Sequence, residues 1–151
     1  MTPVTAPTWA GSTEVSARSK ARKRALDLLF EAEQRGVNAE ALLTKRLAKP
    51  ATQHDLHEYT VEIVRGVVDK WVQIDELLAT YSQGWTVERM PAVDRAILRI
   101  GAWEVVFSDE IPDGVAISEA VALAASLSTD DSPTFVNGLL GRLSEVKPTL
   151  V

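Results

Sequence analysis

The amino-acid sequence predicts an all-α fold, and three observations carry that expectation. Apolar residues recur at helical spacing over most of the chain. Those stretches are bracketed by helix start and stop residues such as Gly36, Asn38, Pro50, Pro91 and Ser132-Pro133. No strand-length run of alternating β-branched residues competes with them. Nor does the chain show a solenoid-type internal repeat.

Taken in order, residues 1–15 carry Pro3, Pro7 and Gly11 with no apolar period, which predicts a disordered tail in which Trp9 either has no structured role or makes a weak docking contact. From about Ser16 the pattern turns helical: Ala21, Ala25, Leu28, Leu29 and Ala32 share one face, and Gly36 stops the helix. Leu26 and Phe30 lie off that face at i and i+4, so they either meet a second core layer or stay exposed for a partner. Asn38 caps a short helix bearing Leu42, Leu43 and Leu47, which ends by Pro50. A longer helix from about Asp55 turns Tyr59, Ile63, Val67, Ile74, Leu77, Leu78 and Tyr81 inward, with a break near Trp71 and with Gly66 placed for close helix approach.

After a loop at Ser82-Gln83-Gly84, Pro91 opens the helix that organises the rest, which Ile111-Pro112 closes. Its stripe of Val93, Ala96, Ile97, Ile100, Trp103 and Phe107 contains one acid, Glu104, expected to be buried and paired with an arginine or with backbone N–H groups. Ala116 to Leu127 is rich in Ala and Leu and strongly helical. In the final helix Ser132 is the expected cap, Pro133 the first helical residue, and Val136, Leu139, Leu140, Leu143 and Val146 the buried stripe.

Composition narrows the functional classes. With 151 residues and 46% hydrophobic content the chain can bury one ordinary core, so residues 16–151 read as a single domain. No apolar run approaches the roughly 20 residues a membrane helix needs, and the N-terminus lacks a secretory pattern, so a cytoplasmic location is the expectation. The absence of cysteine removes thiolate chemistry, disulfides and Cys-ligated zinc.

A formal charge of −5 speaks against bulk attraction to nucleic acid, but the charge is unevenly spread. Arg18, Lys20, Arg22, Lys23 and Arg24 form a run with no acid in its window, at a helix start where the macrodipole disfavours cations. Such a cluster either contacts phosphates and unpaired bases of RNA or is a solvated face. His54 and His57 lack the spacing and third ligand of a metal site, so no metal or cofactor is expected. No phosphate loop or nucleophile constellation is present, which argues against an enzyme.

Four separated motifs carry a resemblance. They are Arg18 to Arg24 followed by Ala25-Leu26-Asp27-Leu28-Leu29-Phe30; Val93-Asp94-Arg95-Ala96-Ile97-Leu98-Arg99-Ile100; Val115-Ala116-Ile117-Ser118-Glu119-Ala120-Val121; and Ser132-Pro133-Thr134-Phe135-Val136-Asn137-Gly138-Leu139-Leu140. Over about Ser16 to Val146 the chain resembles the NusB family of transcription antitermination factors. The resemblance implies two small antiparallel helix bundles and binding to single-stranded boxA RNA of ribosomal RNA leader transcripts. It also implies a heterodimer with the ribosomal protein NusE, within an antitermination complex on elongating RNA polymerase. It places Arg18, Lys20, Arg22, Lys23, Arg24 and Phe135 at the RNA, and Leu26, Phe30, Glu88, Asp94 and Asp131 at the partner surface. A NusB-like module also occurs fused to RNA cytosine methyltransferases, but nothing after Val151 in this sequence could bind a methyl donor. The rival reading is a protein-interaction adaptor or homodimer in which the basic cluster is incidental.

Overall fold

The computed structural model describes residues 5–48 and 57–150, with side chains described from Ala17 onward. The expectations for Pro50, His54 and the Trp9 side chain therefore lie outside what is described, whereas residues 5–15, expected as a disordered tail, are helical. Among the described residues there are seven α-helices and no strand. They are α1 (Thr5–Arg35), α2 (Ala39–Leu47), α3 (Glu58–Asp69), α4 (Trp71–Tyr81), α5 (Ala92–Ala102), α6 (Asp113–Leu127) and α7 (Ser132–Val146).

Local chemistry sets most of the boundaries. Gly36 ends α1 in the left-handed region at φ 66°, which a glycine adopts without a Cβ penalty. The Asn38 side chain accepts from the Ala41 N–H at 3.0 Å and caps α2. His57 does the same for α3, its Nδ1 accepting from the Tyr59 N–H at 3.0 Å. The expected break near Trp71 is a single non-helical residue, Lys70, at φ −107° and ψ 20°. Two expectations need correction. The helix opened by Pro91 does not run unchanged to Ile111, because Trp103–Phe107 forms a π-helical turn closed by the Ser108 N–H on the Trp103 carbonyl at 3.0 Å. This wider turn brings adjacent Glu104 and Val105 both inward. Ser132 does not cap α7: its hydroxyl donates instead to Asp94 Oδ2 at 2.7 Å.

Two antiparallel groups share one core. α1 packs with α2 and α3, and α4 to α7 pack among themselves, with α1 lying against α5 to join the groups. Ion pairs fix the directions: Arg22 on α1 meets Glu104 just after α5, whereas Glu33 meets Arg95 near the start of α5. Asp113 at the start of α6 similarly meets Lys147 just beyond α7. Gly66 permits the closest approach, since a Cβ there would lie 2.2 Å from the Trp103 indole.

Candidate nucleic-acid interface

Because α1 is sandwiched between the two groups, it buries more than one stripe. Ala21, Ala25 and Leu28 belong to the core, and the Ala21 carbonyl accepts from the Thr60 hydroxyl of α3 at 3.0 Å. Arg22, Leu26, Leu29 and Glu33 recur at i, i+4, i+7 and i+11, which makes a second stripe facing α5. Leu26 is 2% exposed, so its assignment to a partner surface is corrected: it fills the second core layer between two ion pairs.

Arg22 is corrected for the same reason. It is 3% exposed, and its Nε donates to both oxygens of Glu104, at 3.0 and 2.9 Å. Its Nη1 also lies 3.4 Å from Glu119 Oε1. A guanidinium so enclosed cannot reach a phosphate without breaking a buried pair. Glu104 is 1% exposed and paired with an arginine, as expected, and it gains a further donor in the Tyr59 hydroxyl. Burial pushes the Glu104 carboxyl up, against the charge of Arg22 and the hydrogen bonds from Tyr59 and Arg22. Burial also pushes the Tyr59 hydroxyl up, with the Glu104 hydrogen bond and charge adding to the effect, so the phenol keeps its proton and donates.

The other cations of the run stay outside the core. Lys20 and Arg24 are exposed, and Lys23 reaches Asp27 one turn on at 2.9 Å. Arg18 is half-buried, its guanidinium 4.9 Å from the centroid of the Tyr59 ring. Ser19, next to Arg18, donates to Glu119 Oε1 at 2.7 Å and tacks the middle of α1 onto α6. Beside this segment a groove of about 830 Å³ runs between α1 and α3, lined by Arg18, Tyr59, Arg65, Leu47 and the acids Glu58 and Glu62. Its two arginines and two glutamates balance, so the cationic character belongs to the α1 face rather than to the groove.

The remaining predicted residues gather elsewhere. Eleven residues separate Arg22 from Glu33. That is about 16 Å of helix at roughly 1.5 Å per residue. The Glu33 end of α1 is where Arg95, Asp94 and the start of α7 lie. Phe135 sits in that first turn of α7, half-buried, its ring 4.8 Å from that of Trp85 at 66°. Thus Phe135 lies near the C-terminal end of α1, whereas the basic segment occupies the middle of that helix rather than the expected helix start. Glu88 and Asp131 are exposed and Phe30 is half-buried.

Asp94 requires the third correction. It is fully buried and accepts from the hydroxyls of Ser128 and Ser132, binding the turn between α6 and α7 to the start of α5. It therefore cannot face a partner. Its neighbours in the motif are also structural. Arg95 donates to Glu33 and to the carbonyls of Val87 and Met90. Arg99 grips Asp75 at 2.9 and 3.0 Å, with its guanidinium 4.1 Å from the Trp71 ring. Sequence reasoning missed Tyr59 and Trp85 as site residues. For Tyr59 a signal existed: an inward tyrosine needs a partner for its hydroxyl, and Glu104 was a buried acid without one assigned.

Comparison with known proteins gives consistent matches. A sequence model described as the NusB family matches residues 19–145. A transcription antitermination protein NusB from Beutenbergia cavernae is 62% identical over 144 residues, covering 90% of this chain and 94% of that protein. Among solved structures, T. maritima NusB superposes with a TM-score of 0.73 at 30% identity, covering 85% of this chain and 90% of that one. The NusB chain in a crystal structure of antitermination factors NusB and NusE in complex with double-stranded RNA superposes with a TM-score of 0.74 at 25% identity, covering 87% and 98%.

Proposed function

The chain belongs to the NusB family of transcription antitermination proteins, and from that premise we propose that it binds boxA-type RNA of ribosomal RNA leader transcripts together with the ribosomal protein NusE, within an antitermination complex on elongating RNA polymerase. The observation that carries this reading is the cationic face of α1, where Lys20 and Arg24 are exposed with Lys23 beside them and Arg18 lies toward α3, on a chain whose net charge is −5. A localised cationic face on an acidic body suits a limited contact with one polyanion and disfavours coating. Arg18, Lys20, Lys23 and Arg24 supply phosphate contacts, and Phe135 supplies an aromatic surface near the C-terminal end of α1. Phe30, Glu88 and Asp131 belong to the NusE surface. The similarity to a NusB chain seen with NusE and RNA supports both partners. No described helix is long and apolar enough to cross a membrane, which leaves the cationic face without a transmembrane role.

The test is titration of the protein, alone and with NusE, against single-stranded boxA RNA, a scrambled strand and a duplex. Tighter binding of boxA in the presence of NusE is the expected result. If about four phosphates are neutralised, log affinity should fall against log salt with a slope of about −3. A slope near zero, or a homodimer indifferent to RNA and NusE, would overturn this reading in favour of an adaptor.

A further inference from the structure

The buried ring of Tyr59 beneath the basic segment has no role in the function proposed so far. Tyr59 is 2% exposed, yet two guanidinium groups lie over its ring, Arg18 at 4.9 Å and Arg22 at 5.4 Å from the centroid. Its hydroxyl donates to Glu104, which is itself gripped by Arg22. Tyr59 is thus tied at its polar tip to a buried pair that cannot shift without exposing or orphaning a charge. Its backbone N–H is held as well, by the His57 cap. A ring fixed at both ends makes a rigid seat for a cation.

Resting on the RNA-binding reading, we propose that Tyr59 is a positioning residue for RNA: its ring, anchored on Glu104, carries the Arg18 guanidinium and presents it on the α3 side of α1, beside the groove there. Arginine is a long side chain that loses rotamer freedom when it binds. Laying its planar head on a fixed aromatic face confines it before RNA arrives, so less freedom is lost on association. The arrangement divides labour within the basic run. Arg22 holds the platform from inside, and Arg18, four residues earlier on the same side of the helix, uses it from outside.

The experiment is a double-mutant cycle on RNA affinity, measured by fluorescence anisotropy with single-stranded boxA RNA and NusE over a range of salt. Arg18→Ala should weaken binding about fivefold and make the salt slope shallower by about 0.7. Tyr59→Leu should do the same, and the double variant should lose no more than either single one. Tyr59→Phe keeps the ring and should keep the slope of the unsubstituted protein. NMR on the unsubstituted protein gives a reading independent of how Tyr59→Leu folds. The Arg18 δ-methylene protons should be shifted upfield by the ring, and the Arg18 Nε–H should move when RNA is added. Losses that multiply in the double variant, an unchanged slope in folded Tyr59→Leu, or ordinary Arg18 shifts indifferent to RNA would each overturn the positioning role alone. Absence of any RNA binding by the unsubstituted chain with NusE would instead overturn the RNA reading, and this inference with it.

Discussion

The basic segment of α1 and the Asp94–Arg99 segment of α5 are both charged runs laid over an apolar stripe, and they treat their charges differently. On α5 all three charged residues are spent on the fold: Asp94 on two serines, Arg95 on Glu33, and Arg99 on Asp75 and Glu33. Within the basic segment of α1 only Arg22 is buried, while Lys20 and Arg24 remain in solvent. The difference lies in the neighbours. α5 is covered by α1, α4, α6 and α7, so nearly every direction meets protein. The basic segment of α1 meets α3 through Thr60 and α6 through Glu119, while Lys20 and Arg24 on its remaining arc are exposed. A charge in a sequence run is therefore assigned by its angle around the helix and by whether an acid waits at that angle.

The strongest test of this contrast is Glu104→Ala, which strands the Arg22 charge in the core. Breaking one side of such a buried pair should cost about 3 to 5 kcal/mol in denaturant unfolding. A cost below about 1 kcal/mol would show that Arg22 escapes to solvent, and the two segments would then differ less than the contacts indicate. The reciprocal variant, Arg22→Met, adds a pH signature. A carboxyl raised by burial lets the folded chain keep a proton that the unfolded chain has released, so stability falls as pH rises through the window above the ordinary glutamate value. Without Arg22 to oppose burial that window widens upward, so the variant's deficit should be smaller near about pH 5 than near about pH 8.

Asp94→Ala should rank next. It removes the acceptor for two hydroxyls, one of them fully buried, and should cost about 2 to 3 kcal/mol. It should also loosen the turn before Phe135, seen as faster amide exchange at Ser128 to Ser132. An Asp94→Ala protein as stable as the parent, with lost NusE binding, would restore Asp94 to the partner surface.

Glu33, on α1 beyond the basic segment and opposite Arg95 and Arg99, should give a smaller effect. The hydrogen bond from Arg95 holds its carboxyl below the usual range, against burial and with help from Arg99. A depressed carboxylate contributes stability that is complete above its unfolded value and is lost as pH falls through its folded value. Glu33→Gln should therefore cost about 1 kcal/mol near neutral pH and flatten the acid limb of the stability profile. A parallel shift of the whole profile would mean that the charge on Glu33 does not matter.

The helices were largely legible in the sequence because each carries its own period and its own stops. The Gly36 stop, the Asn38 cap, the Lys70 break and the Gly66 approach all follow from local rules or from residue size. What was not legible depends on what lies opposite. Leu26 was off the main stripe, and only the second helix packed on α1 makes that position core. Arg22 looked like its neighbours in the run, and only Glu104 across the interface distinguishes it. The π-turn at Trp103 left no local mark, since it answers to the packing of Glu104 and Val105 together. The Asp94 assignment failed because a motif can be characteristic of a family for the sake of its fold rather than its ligands.

The smallest stability effect belongs to the residues expected to matter most for binding. Lys20 and Arg24 are exposed, so replacing both by Ala removes solvated charge and little packing; the stability change should stay within about 0.5 kcal/mol. Two fewer phosphate contacts should nevertheless make the salt slope of RNA binding shallower by about 1.4. Arg22→Met should show the opposite pattern, a large loss of stability with the slope retained in the molecules that remain folded. Phe30→Asp completes the set: with no part in the ion pairs, it should abolish NusE binding while leaving the RNA slope unchanged. Salt-dependent anisotropy and isothermal titration on the three proteins decide the matter. If Arg22→Met changes the slope as much as the Lys20 and Arg24 double variant does, the inward and outward cations of α1 form one electrostatic unit, and the contrast with α5 fails at the point where it carries function.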